Sequence, residues 1–309
     1  MLSVISRIAT RLRSEVAAWL VLCCLSGASW GATYTFPGSL PVGCVQASTG
    51  VYTCASWTPG TADVFNVTGT ASITVTGNLN IQGGQFNVGG SASNVALTVV
   101  GIFSASNGAK LYANLNATSV SSSGVVYYGG SITTATGGIT LGGSSTVVGA
   151  ITSTSGAVLL GSGTSSAYTT VASITTGGTV TLNSYPKVLG TTTGSLVSAA
   201  TGPWFGGDVT ATATYVSFGT AATVTGNVVA ASYVYTGTNS NISGYVTSGT
   251  LQVDLVGGTT VGGAITANGT YVNFGIGSSA GGNVVAKSYV DLGTDGVVNG
   301  NVKIGRAHV

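Results

Sequence analysis

The chain has 309 residues, of which 50 are Gly and only 5% are charged. So little charge, with abundant Val, Thr, Ala and Ser, excludes a disordered chain, which is polar and charged. The formal net charge of +2 comes without any basic stripe, which excludes a nucleic-acid binder. Val and Thr suit pleated, half-buried surfaces and Gly marks turns, so the mature chain reads as nearly all β. Weak self-repulsion also leaves a surface suited to self-association.

Residues 1–32 read as a secretory signal peptide. Arg7, Arg11 and Arg13 precede an apolar run from Val16 to Leu25, and small residues follow from Ser26 to Ala32. The run is shorter than the roughly 20 residues a membrane span needs. A lipoprotein anchor at Cys23 or Cys24 is disfavoured, because Leu22 stands where a small residue is expected. The expected destination is therefore secreted, on the bacterial surface or outer-membrane exterior, with membrane contact only through export. Removing the segment also removes the only Glu, Glu15, and leaves five Asp, four Lys and Arg306.

Residues 33–63 form a non-repetitive opening broken by Pro37, Pro41 and Pro59. Cys44 and Cys54 flank a short polar loop containing Gly50. In an exported protein, two cysteines this close predict a disulfide closing a hairpin. A reactive thiol or metal site is the alternative, but it lacks a third ligand, since no His occurs before residue 308. The segment is expected to cap a solenoid, whose first coil would otherwise expose its core and strand edges.

Residues 64–303 carry the repeat. Six segments begin alike, at Gly207-Asp208-Val209, Gly226-Asn227-Val228, Gly244-Tyr245-Val246, Gly263-Ala264-Ile265, Gly282-Asn283-Val284 and Gly300-Asn301-Val302, with gaps of 19, 18, 19, 19 and 18. A second marker recurs at Val216, Val234, Val253, Val272 and Val290, and a third at Val224, Ile242, Val261, Ala280 and Val298. Three apolar markers per coil predict an all-β, single-stranded triangular β-helix with 18–19 residues per coil. About 13 coils, each adding one strand spacing, give a rod of roughly 60 Å. Upstream the period is looser. Gly77-Asn78-Leu79 resembles a repeat start, Ala157 to Pro186 drifts as if it held one or two insertions, and Trp204-Phe205 reads as an interruption.

Catalysis on a β-helix needs clustered acids with basic partners. Here Asp254 and Asp291 share a coil position but lie two coils apart, with Asn273 between them. The expectation is no catalytic residue, no metal, no cofactor and no enzyme. Gly161-Ser162-Gly163 precedes no helix, so it is not a phosphate loop. Tyr215, Tyr233, Tyr271 and Tyr289 share one coil position. They predict either stacking between coils or a flat face that binds sugars or a surface. The chain ends in Ile304 to Val309, which breaks the repeat mid-coil and resembles one reading frame of a sequencing adapter. These residues are expected to be an artefactual tail on a natural chain that continues past Lys303.

The opening YTFPGSLPVGC…GVYTC, with ITVTGNLNI and GGSASNVALTVVG after it, resembles the N-terminal region of proteins of mannose-sensitive haemagglutinin-type pili, the Q-type biogenesis protein and its relatives. The Gly-Asn-Val coils over residues 120–303 resemble bactofilins, which are polymer-forming β-helical proteins. These resemblances imply a bacterial surface or pilus-associated protein. The expected function is a secreted structural or adhesive scaffold whose partners are copies of itself or pilus and cell-surface components. The alternative is a carbohydrate-binding adhesin passenger whose partners are glycans, and a polysaccharide-active enzyme stands a distant third.

Overall fold

The computed structural model describes residues 31–305. Within them the chain is a parallel β-solenoid of about 13 turns, its 37 short strands joined in one continuous hydrogen-bonded sheet. A 3-10 turn at Ala92–Asn94 is the one helical element among the described residues. The N-terminal apolar run, with Cys23 and Cys24, lies outside them, and so do Arg306 to Val309.

Three strands make each turn. From Thr192–Gly194 onward, every strand pairs in parallel with the third strand after it. The first row stacks Thr192, Val209, Val228, Val246, Ile265 and Val284 in register. The second stacks Val197, Val216, Val234, Val253 and Val272. The third stacks Val188, Phe205, Val224, Ile242 and Val261. All of these side chains point inward and are fully buried. Each apolar one contributes about 1.5–3 kcal/mol of burial before chain ordering is offset.

The repeated Gly is explained by close approach between coils. A Cβ on Gly226 would stand 2.6 Å from the Gly207 carbonyl carbon, and one on Gly244 would stand 2.5 Å from the Gly226 oxygen. Beside this corner the side-chain oxygen of one coil accepts a backbone N–H from the next. Asn227 N–H donates to Asp208 Oδ1 at 2.8 Å, Tyr245 N–H to Asn227 Oδ1 at 3.1 Å, and Asn301 N–H to Asn283 Oδ1 at 2.9 Å. Between the second and third rows the chain turns through a left-handed residue in each of the last six coils: Gly202, Ala221, Asn239, Gly258, Gly277 and Asp295. Just after it, a buried hydroxyl satisfies backbone groups inside the corner. Ser240 Oγ donates to Gly237 O at 2.8 Å and accepts Ala222 N–H at 3.3 Å.

Residues 33–57 form a turn of the same solenoid. Thr33–Phe36 pairs in parallel with Val64–Val67, and Val51–Cys54 with Ser72–Val75. The strand Cys44–Ser48 makes the one antiparallel pairing among the described residues, against Val51–Cys54. It therefore covers the edge of Val51–Cys54 that faces away from the solenoid. Cys44 and Cys54 are directly opposed in this hairpin and joined by a disulfide. Aromatic rings fill this end, with Tyr34 stacked on Phe65 at 5.1 Å and Phe65 on Phe86 at 5.6 Å.

Two readings of the looser region are corrected and a third is narrowed. Leu79 pairs with Phe103, and that line continues through Val120 to Val216. Gly77-Asn78 thus marks a second-row corner, because a triangular coil has more than one tight corner. Phe205 does not interrupt anything. It sits in register between Val188 and Val224, and Trp204 beside it points outward. The drift after Ala157 is one local insertion. Val171 comes thirteen residues after Val158, whereas Val224 comes eight after Val216. At the other end, Val302–Ile304 pairs with Val284–Ala286, so coil register persists through Ile304.

Candidate functional site

Each of the strands Val216–Phe218, Val234–Thr236, Val253–Leu255 and Val272–Phe274 buries its leading Val, and the residues on either side of that Val point outward. One outward line reads Tyr215, Tyr233, Gln252, Tyr271 and Tyr289, and the other reads Ser217, Tyr235, Asp254, Asn273 and Asp291. The four tyrosines named from the repeat are brought to one face, but not as one ladder. Tyr215 and Tyr233 stack at 4.7 Å with planes 17° apart, and Tyr271 and Tyr289 stack at 4.8 Å with planes 10° apart. Gln252 separates the pairs. Stacking screens one face of each ring, while Tyr235 and Tyr289 are 40% and 49% exposed.

Asp254 sits in the gap between the two pairs. Partial burial pushes its carboxyl above the ordinary carboxylate range, and hydrogen bonds from Gln252, Asn273 and Tyr271 pull the other way. The Tyr271 hydroxyl is raised by desolvation, by the Asp254 charge and by the neighbouring Tyr289. Tyr233 is raised by desolvation and by Tyr215. Asp254 is thus a half-buried carboxylate in the electrostatic neighbourhood of the Tyr271 hydroxyl. Asp291 lies two coils away, roughly 10 Å at one strand spacing per coil, and is exposed. Two carboxylates so placed do not share a proton.

Among the described residues, no three His, Cys, Asp or Glu side chains are grouped to hold a metal. A depression of about 380 Å³ near the N-terminal end is lined by hydroxyl, amide and small side chains, including Thr49, Thr70, Ser93 and Asn94. It offers polar contacts and no acid–base group. No described helix is long and apolar enough to cross a membrane.

A second outward cluster is not marked by the repeat at all. Lys187 Nζ lies 5.1 Å from the ring centre of Trp204 and 5.9 Å from that of Tyr168, and Tyr168 meets Tyr185 edge-on at 6.4 Å. Its sequence signals are the loss of period between Leu160 and Thr169, which places Tyr168 beside Lys187, and the aromatic pair Trp204-Phe205. Comparison with known proteins finds no matching family model, no matching curated protein and no matching solved structure.

Proposed function

We propose that this chain is a secreted structural or adhesive scaffold of the bacterial cell surface, pilus-associated and self-assembling. The observation that carries this reading is the uninterrupted stack. Three strand rows run from coil to coil along the whole rod, with apolar side chains inward and backbone hydrogen bonds along the axis. Such a body resists bending and presents long, regular flanks. Its surface is nearly free of charge, with 5% charged residues in the entire chain, which lowers the barrier to side-by-side contact. The resemblance of the opening to pilus-associated proteins, and of the coils to bactofilins, supports the bacterial-surface context. Export follows from the basic and apolar N-terminal pattern.

Negative-stain microscopy of the purified mature chain tests the assembly. Filaments or ordered sheets are expected, and a strictly monomeric protein at high concentration would overturn it. Protease shaving of intact producing cells tests the location, with loss of the chain expected from the surface fraction.

One observation favours a carbohydrate-binding adhesin as a second reading. Tyr235, Asp254 and Tyr271 place aromatic surface beside a half-buried carboxylate, which is the chemistry a sugar requires. Binding on a glycan array that is lost in Tyr233→Ala and Tyr271→Ala supports that reading. Turnover of a polysaccharide would sink both readings and make the chain an enzyme.

A further inference from the structure

We propose that the cluster of Tyr168, Tyr185, Lys187 and Trp204 is a binding site for an acidic polysaccharide, one whose sugar rings carry carboxylates. The proposal rests on the adhesive reading but places binding on a different flank from the tyrosine pairs.

The cluster is built into the fold. Lys187 and Trp204 are register neighbours on adjacent coils of the third row. Tyr185 occupies the left-handed turn position with φ 56°, where other coils place Gly202, Asn239 or Gly258. A bulky residue there is a backbone outlier, and such outliers concentrate at functional sites. Two glycines give the rings room. A Cβ on Gly202 would stand 2.7 Å from the Tyr185 ring, and one on Gly206 would stand 2.9 Å from Trp204 Cη2. Tyr168 comes from the one insertion in this part of the rod. In repeat scaffolds, such insertions gather on the binding face.

The chemistry selects the ligand. A pyranose turns its C–H groups toward the electron-rich face of an aromatic ring and its hydroxyls outward. Trp204 supplies that face, and the same outward line continues through hydroxyl and amide groups at Thr170, Thr223 and Asn241. Lys187 adds a single cation, and no carboxylate belongs to the cluster. A uronic acid matches this set, with its ring against the aromatic group and its carboxylate on the ammonium. One lysine is too little charge for a membrane surface, which calls for several basic residues together.

The test is retention of the mature chain on immobilised polygalacturonate and alginate, with dextran as the neutral control. Wild type is expected to bind the acidic polymers at least tenfold more tightly than dextran and to weaken as salt rises. Trp204→Ala is expected to lose binding at least tenfold. Lys187→Met is expected to lose the preference for acidic polymers, and Lys187→Arg to keep it, each variant checked for an unchanged circular-dichroism melt. If binding persists in Trp204→Ala and Lys187→Met but is lost in Tyr233→Ala, this site is wrong and the adhesive reading stands. If wild type binds no glycan, both fall. Equal retention on anionic phospholipid vesicles would assign the cluster to a membrane and overturn the proposal.

Discussion

At the scale of single residues, the glycine repeat and the inward valines are two sides of one constraint. Coils one strand spacing apart leave no room for a Cβ at the first corner, and a Cβ on Gly244 would stand 2.3 Å from Asn227 Oδ1 and 2.5 Å from Gly226 O. Gly244→Ala should therefore destabilise the rod by about 2 kcal/mol or more, since the obstacle is largely backbone that cannot rotate away. Chemical denaturation read by circular dichroism measures it. Thr192 stands in the first row where its neighbours are Ile or Val. It is fully buried, and its hydroxyl has no hydrogen-bond partner. Thr192→Val keeps the shape and removes the unpaired group, so it should stabilise by about 1 kcal/mol. A raised denaturation midpoint with an unchanged slope would show this. The glycine period is legible in sequence because every coil meets the same obstacle. Thr192 is not, because Thr191, Thr192 and Thr193 offer no sign of which one points inward.

At the scale of elements, the N-terminal hairpin and the tyrosine face carry the informative departures from regularity. Cys44–Ser48 shields a strand edge only while the hairpin holds, and its disulfide closes a loop with a sequence separation of 10. Reduction, or Cys54→Ala, should weaken this end by about 2–3 kcal/mol. Hydrogen exchange should locate the loss in residues 33–67 and leave the central coils protected, because each coil contacts mainly its neighbours. On the tyrosine face, burial makes Asp254 harder to ionise when folded than when unfolded. As pH rises from the ordinary carboxylate range through the raised folded value, the unfolded chain releases its proton first. The contribution of Asp254 to stability is present at the acid end of that window and lost toward neutral pH. Asp254→Asn should remove this fall, so its melting temperature should gain on wild type as pH rises from the ordinary carboxylate range toward neutral. The pairing of Cys44 with Cys54 was legible from their close spacing together with the signal-like N-terminus. The break at Gln252 was also visible, but the stacking on either side of it is not, because ring orientation depends on packing. Tyr34 and Phe36 gave no sign of a first coil, since a hairpin interrupts the period and aromatic rings replace the valines.

At the scale of the whole molecule, each coil is a separable layer. Deleting residues 226–262 removes two coils and joins Thr225 to Gly263, both of which keep their corner positions. The shortened chain should fold, and small-angle scattering should find it about 10 Å shorter. Val209 would then stack on Ile265 and Val216 on Val272, and Tyr215 would meet Tyr271 without Gln252 between them. A collapsed or aggregated product would show that coils are not interchangeable. The insertion between Leu160 and Thr169 shows a complementary freedom. The extra residues bulge out on one flank around Thr164 to Ser166, while Gly163 N–H still donates to Ser184 O and Ala167 O still accepts from Ser144 Oγ, and the strands before and after them keep their pairing with the coils above and below. That position is a natural socket. A foreign loop grafted between Thr164 and Ala167 would be displayed at a fixed height on a stiff rod, and the bonds of Gly163 and Ala167 to the neighbouring coils would stay in place.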